Sequence, residues 1–331
     1  MARTRKILKR QQTVSRIGAT ASSQEKTKHT IFIADSRRML EVADSSVHLV
    51  VTSPPYYNAP YDYKDYFASY EAFLSLMQDS AQEMKRILQD GRMACINCDD
   101  MLVDGEKYPI VADVTKIFME NGFKYREHII WKKPMGYVRI SRRSGVLIQN
   151  PYPMYFYPDN ITESILIFQK KGEEEKRGNH FNHQSIDSKI RRLSQLDARG
   201  EYLRENWYVN VWDMTNVLPL NRIEKDVAAF PDELPYRLIK MLSFVGETVL
   251  DPFLGSGTTS KVAKELGRNS IGYEIDEKLI PVIQAKIAQR LRLKKKYPKL
   301  LEPEMLLESE KASEYELEII KRKEVENPVT K

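Results

Sequence analysis

The sequence predicts an α/β fold built on a doubly wound, mostly parallel sheet that carries an insertion. Three observations lead there. Apolar runs of strand length recur along the chain, segments with helical apolar spacing stand between them, and this alternation breaks once, between about Pro134 and Lys225.

In chain order, residues 1–29 hold Arg3, Arg5, Lys6, Lys9, Arg10, Arg16, Lys26 and Lys28 against the single acid Glu25, which describes a flexible basic arm suited to a phosphate backbone. Residues 30–135 form the first half of the domain. IFIAD (31–35) and VHLVVTS (47–53) are short buried strands, and residues 70–91 carry helical spacing that closes at Gly91. RMACINC (92–98) is a strand, 109–122 a helix ending on a glycine, and YREHIIWKK (125–133) another strand. The insertion, 136–225, holds GYVRISRRSG, NPYPMYFYPDN and KIRRLSQLDARGEYLRENWYVNVW, with one sheet strand at SILIFQKK (164–171). The rhythm resumes over 226–293: a helix at 234–244, ETVLDPF (247–253) as a strand, a helix after the glycines, IGYEID (271–276), and a long helix from about Glu277 to Leu293. Residues 294–331 carry charges of both signs and read as a surface helix or tail.

Composition narrows the classes. The 331 residues suit two domains, or one large α/β domain with an insertion. At 42% hydrophobic and 30% charged, the chain is neither disordered, collagen-like nor coiled coil. No apolar run reaches the 18 or so residues of a membrane span, and MARTRKILKRQQ lacks a signal-peptide core, so no membrane partner and an intracellular, cytoplasmic protein are expected. The 52 Lys and Arg exceed the 46 Asp and Glu by +6, which suits a polyanionic partner without requiring one. Cys95 and Cys98 form a CxxC, but none of the five histidines is placed to complete a zinc site. Small residues in a buried strand are the expectation, with no metal.

VLDPFLGSGTT (249–259) places an acid at a strand end and two glycines at a helix start, where the backbone can approach a ligand and N–H groups point outward. Counted from Gly255, a phosphate-binding loop fails, because Ser260 stands where its second glycine belongs and Val262 where its hydroxyl belongs. The dinucleotide fingerprint fails at the same Ser260, although Glu274 ends the next strand where a ribose-binding acid belongs. Adenosine with a ribose clamp, lacking a pyrophosphate, remains.

TSPPYYN (52–58) follows the strand VHLVV. Consecutive prolines fix φ and remove two donors, giving a rigid turn with free carbonyls. A hydroxyl, a fixed carbonyl and an aromatic ring suit a planar ligand bearing an amino group. Ser53 and the carbonyl of Pro54 accept its two N–H bonds and Tyr56 stacks on it.

With both motifs in this order, about 200 residues apart, the chain resembles the β-class amino DNA methyltransferases that use S-adenosylmethionine. AAFPDELPYRLI (228–239), IGYEID and IIWKKP resemble further family segments, and the likeness covers most of 30–293. It implies a circularly permuted, class I methyltransferase-like fold with 136–225 as the target-recognition region. It also implies that Asp251, Pro252, Phe253, Gly255, Gly257 and Thr258 surround the cofactor's methionine end, that Glu274 accepts from the ribose hydroxyls, and that Phe230 and Pro231 pack nearby. Asp35 reaches the adenine or caps a helix over SRRML; both readings stand. Ser53, Pro54, Pro55 and Tyr56 form the catalytic pocket.

An exocyclic amine is a poor nucleophile because its lone pair is delocalised, so accepting both N–H bonds and aligning a sulfonium methyl would supply most of the rate. A target buried in double-stranded DNA must be flipped out. Tyr57 and the tyrosine-rich stretch 56–70, with Arg139, Arg142 and Arg143, are the expected DNA contacts. Ser53 stands where many adenine-modifying members of the resembled family have aspartate, so the resemblance implies cytosine N4 as the expected target, with adenine N6 the runner-up. The family implies a cognate restriction endonuclease in a restriction-modification system, and a monomer or homodimer. A nicotinamide-dependent dehydrogenase would use the glycine turn and Glu274 but leaves TSPPY without a role. A non-catalytic DNA-binding protein explains the charge alone.

Overall fold

The computed structural model describes residues 26–58, 66–134, 160–172, 198–215, 229–291 and 314–322. Their centre is a nine-stranded sheet in the order β11-β1-β10-β9-β2-β3-β7-β6-β8. The strands are β1 (Thr27–Ile33), β2 (Val47–Thr52), β3 (Leu88–Cys98), β6 (Phe123–Lys132), β7 (Thr162–Lys170), β8 (Val211–Asp213), β9 (Thr248–Asp251), β10 (Asn269–Glu274) and β11 (Tyr315–Lys321). A separate hairpin pairs β4 (Met101–Val103) with β5 (Glu106–Tyr108). Among the described strands of the nine-stranded sheet only β7 runs antiparallel, pairing with both β3 and β6.

Helices cover both faces, so the strands read as continuous apolar runs rather than alternating ones. On β2, Val50 packs on one face with α1 (Tyr70–Ile87) and α2 (Ile110–Glu120), through Phe73, Met77, Val114 and Phe118. Leu49 and Val51 pack on the other with α3 (Glu233–Leu242) and α4 (Thr258–Glu265), through Leu238, Ile239, Val262 and Ala263. Near the β1 edge, α5 (Ile280–Ala288) buries Ile283 and Ile287 against Ile31, Ile33 and Leu254. No helix among the described residues is long and apolar enough to cross a membrane.

The strand order places the site. β2 and β9 are neighbours, pairing in parallel at Leu49–Val249 and Val50–Leu250, while β10 continues to one side of β9 and β3 to the other side of β2. This is the point where chain direction across the sheet reverses, and a crevice opens there beyond the carboxyl ends of the strands. Both sequence motifs leave the sheet at that edge.

Several boundaries differ from the sequence reading. The first helix stops at Ile87, and Gly91, with φ +75°, lies inside β3 rather than at the helix end. The helix begun at Glu277 is one 3-10 turn followed by α5 to Ala288. The charged tail contributes β11, paired in parallel with β1 from Thr27–Tyr315 to Ile33–Lys321, because Tyr315, Leu317 and Ile319 alternate with acids and pack on α5. β1 starts at Thr27, so the strand takes in the end of the stretch read as an arm. Cys95 and Cys98 both lie buried in β3, on opposite faces of the sheet, which separates them as ligands.

Candidate functional site

The crevice is a cavity of about 860 Å³, within the range of small-molecule sites. On one side stand Ser53, Pro54 and Pro55, and on the other Pro252, Phe253, Leu254, Gly255, Ser256 and Thr258. Glu274, Ile275 and Asp276 border one end with Asp35 and Arg37, and Ala229 and Phe230 border it elsewhere. The two motifs therefore face one space.

A buried carboxylate ties them together. Asp251, 1% exposed at the end of β9, accepts from Thr52 Oγ1 at 2.6 Å, from Thr259 Oγ1 at 2.6 Å and from the Phe253 amide at 3.1 Å. Burial raises its pKa to about 6 against these stabilising bonds. The sequence reading puts Asp251 in the cavity lining; it instead sits behind the lining and fixes the loops that form it. The glycine loop lies over β10, with the Leu254 amide donating to the Tyr273 carbonyl at 2.8 Å. Leu254 packs so closely on Gly272 that a Cβ there would lie 2.7 Å from Leu254 Cδ2.

The two glycines divide their work. Gly255 lines the cavity at φ +54° and its amide donates to Glu274 Oε2 at 2.8 Å. Gly257, at φ +91°, does not line it: a Cβ would meet Ile283 of α5 at 3.5 Å. Its glycine is required by the left-handed turn that starts α4, not by close approach of a ligand. Pro231 is also buried behind the lining, whereas Phe230 reaches it.

Glu274 Oε1 accepts from the Ile275 amide at 2.8 Å and the Asp276 amide at 2.9 Å. Burial raises its pKa, opposed by these bonds. With one bond on Oε2 and two on Oε1, it keeps acceptor capacity for a ligand hydroxyl. Asp35 accepts from the Arg37 amide at 2.9 Å and from its guanidinium at 2.8 and 2.6 Å. Burial pushes the Asp35 carboxyl up, but Arg37 holds it below its ordinary value. No helix forms over the following SRRML, so the capping reading is replaced by a local side-chain turn on Arg37.

The tyrosines differ from expectation. Tyr57 is 6% exposed, with ring centroids 4.8 Å from Tyr108 and 5.1 Å from Tyr70, so it belongs to the core and not to the DNA surface. Tyr56, expected to stack on the ligand, is equally buried and stands behind the cavity lining rather than in it, and its hydroxyl donates to Glu163 Oε2 at 2.7 Å. Glu163 also accepts from Asn97 Nδ2 at 2.7 Å and lies 2.5 Å from Lys133 Nζ. Close by, Asn160 donates to Asp99, whose pKa rises to about 7 through burial and then the Glu163 charge. Sequence reasoning missed Glu163, Lys133, Asn97, Asp99 and the cavity-lining Arg37 and Lys278, whereas Tyr66, part of the tyrosine-rich stretch 56–70, lines the cavity. One usable signal existed, an acid beside the apolar run SILIF in a strand. Arg139, Arg142 and Arg143 lie outside the described residues.

Residues 47–285 match the family model described as a DNA methylase, N6_N4_Mtase. The chain belongs to this family. It is an S-adenosylmethionine-dependent DNA methyltransferase. Among relatives, it is 34% identical over 293 residues to the type II methyltransferase M.MjaI of Methanocaldococcus jannaschii, covering 79% of this chain and 91% of that one. The type II methyltransferase M.MthZI of Methanothermobacter thermautotrophicus is 33% identical over 293 residues, covering 81% and 79%. In three dimensions the methylase is similar to TTHA0409 of Thermus thermophilus complexed with S-adenosyl-L-methionine, with a TM-score of 0.60, 26% identity and coverage of 88% and 98%. The PvuII DNA methyltransferase, described as cytosine-N4-specific, shares the fold at a TM-score of 0.57 and 17% identity, covering 89% and 99%.

Proposed function

We propose that this methylase transfers a methyl group to the exocyclic N4 amine of a cytosine flipped out of duplex DNA. The observation that carries the reading is that Ser53, Pro54 and Pro55 share one cavity with Phe253, Gly255 and Glu274, across the Thr52–Asp251 bond. When bound, S-adenosylmethionine supplies an electrophilic methyl on sulfonium. The chain's residues do the rest by positioning.

In this reading Glu274 uses its remaining acceptor sites for the ribose hydroxyls, Asp35 and Arg37 border the adenine end, and Pro252, Phe253, Gly255 and Thr258 flank the methionine arm. Ser53 and the Pro54 carbonyl accept the two N–H bonds of the target amine, drawing its lone pair out of the ring. Tyr56, buried outside the cavity lining and held through its hydroxyl, backs the wall against which the inserted base packs. Serine at position 53 supports cytosine over adenine, since many adenine-directed members of the family carry a carboxylate there.

The basic arm, Arg139, Arg142, Arg143 and the rest of the 136–225 insertion are proposed to hold and read the duplex. The type II designation of both relatives supports a role beside a restriction endonuclease. The test is to incubate the protein with unmodified genomic DNA and labelled S-adenosylmethionine, then digest and identify the labelled nucleoside and its flanking sequence. Label in N4-methylcytosine supports the reading; no transfer to DNA overturns it.

A further inference from the structure

We infer that Glu163 is a positioning residue for methyl transfer, acting through the hydroxyl of Tyr56. This rests on the proposed role of the SPPY turn. Glu163 stands at the start of β7, the antiparallel strand beside β3, and is 6% exposed. Its Oε2 receives both Tyr56 Oη and Asn97 Nδ2 at 2.7 Å, and its Oε1 lies 2.5 Å from Lys133 Nζ. Lys133 is itself fixed, its amide donating to the Ile161 carbonyl at 2.8 Å and its ammonium lying 5.2 Å from the Trp131 ring centroid.

Three strands thus converge on one carboxylate: β3 through Asn97, β7 through Glu163 itself, and the end of β6 through Lys133. A buried ion pair contributes little to stability, because well-packed apolar side chains of similar volume commonly serve as well or better. What an apolar residue cannot do is accept from a tyrosine hydroxyl. A tyrosine has two side-chain torsions, and anchoring its far end to a braced acceptor removes the swing of the ring that a buried aromatic otherwise retains. The SPPY backbone is already stiffened by its two prolines, so the Tyr56 ring is the remaining soft element of the turn. Asn97 commits its amide to this brace, while its own Oδ1 has no partner among the described residues.

The test is a double-mutant cycle with Tyr56→Phe and Glu163→Asp. Phenylalanine removes only the hydroxyl. Aspartate keeps the charge for Lys133 but withdraws the acceptor by one methylene. Single-turnover transfer from tritiated S-adenosylmethionine to unmodified genomic DNA is measured for wild type, both single variants and the double variant, with cofactor dissociation constants from calorimetry. Each single variant is expected to slow transfer about fivefold or more with cofactor affinity unchanged, and the double variant to be no slower than the slower single one. Glu163→Asp should therefore do nothing further in the Tyr56→Phe background. Losses that multiply, or a Glu163→Asp variant as fast as wild type, overturn the inference. Should Glu163→Asp fail to fold, Asn97→Ser enters the same cycle with the same expectation and the same overturning result. No transfer by the wild type refutes the function proposed above instead, which separates the two failures.

Discussion

Thr52 and Asp251 stand 199 positions apart and share a 2.6 Å hydrogen bond across the gap between β2 and β9. Each ends a strand, and each begins one of the two motif loops. Asp251 leaves no face to the cavity, so its effect on ligand binding passes through Thr52, Thr259 and the Phe253 amide. Asp251→Ala strips two buried hydroxyls and the half-buried Phe253 amide of their acceptor and should cost about 3 kcal/mol or more of stability, with cofactor binding lost alongside. Thr52→Val, which keeps the shape and removes one bond, should cost about 1–2 kcal/mol and weaken the cofactor less. Urea denaturation and calorimetry measure both. Full stability in Asp251→Ala with lost binding would instead mean direct contact with the ligand.

The glycines separate stability from binding. Gly257→Val forces a β-branched residue to φ +91° against Ile283, so it should destabilise by about 1–3 kcal/mol and lower the melting temperature. Gly255→Ala occupies an ordinary left-handed conformation at φ +54° but adds a methyl at the cavity wall, so cofactor affinity should fall about tenfold, ~1.4 kcal/mol, with a smaller loss of stability. Equal effects of both variants on melting and on affinity would contradict this division.

Glu274→Gln keeps the shape of the side chain but turns an amide toward donors that now meet a carboxylate, the Gly255 amide among them. Cofactor affinity is expected to fall at least tenfold, ~1.4 kcal/mol, as charge-assisted acceptance is lost at both the loop and the ribose. Unaltered affinity in a titration excludes Glu274 as the ribose acceptor.

Burial, with Glu163 adding to it, pushes Asp99 up to about 7. A carboxyl whose pKa rises on folding binds its proton more tightly in the native state. Its stabilising contribution is therefore complete below its ordinary value of 3.8 and disappears as pH rises through about 7. Asp99→Asn removes this dependence, so the variant should gain stability relative to wild type between pH 4 and roughly 7.5. Urea midpoints of the two proteins that run parallel across that interval would show that Asp99 titrates normally.

The fold was legible because both faces of the sheet are covered. Val50 and Leu49 point to opposite cores, and both must be apolar, so β2 stands out as an unbroken run. The same holds for β9, and the prolines and glycines after these strands announce their turns. The site's framework was harder to see, since nothing in the order of residues reveals that Thr52 faces Asp251 or that Tyr56 meets Glu163. Tyr57 could not be told from its neighbour by type: one step along the turn puts it among Tyr70, Phe73 and Tyr108. Gly91 misled because a glycine with positive φ ends helices often, whereas here the chain is already in β3. β11 was obscured by its alternating acids, the pattern of an edge strand with one face on α5.

Mass spectrometry of product DNA decides whether the cavity shared by the two motifs directs a methyl group to the N4 amine of cytosine. Unmodified DNA treated with the protein and S-adenosylmethionine bearing a deuterated methyl should yield deuterated N4-methyldeoxycytidine on digestion, and none after Ser53→Ala and Tyr56→Ala are combined. Label found only in N6-methyldeoxyadenosine contradicts the assignment of the base, and label in 5-methyldeoxycytidine, or in no nucleoside, contradicts the account of the site.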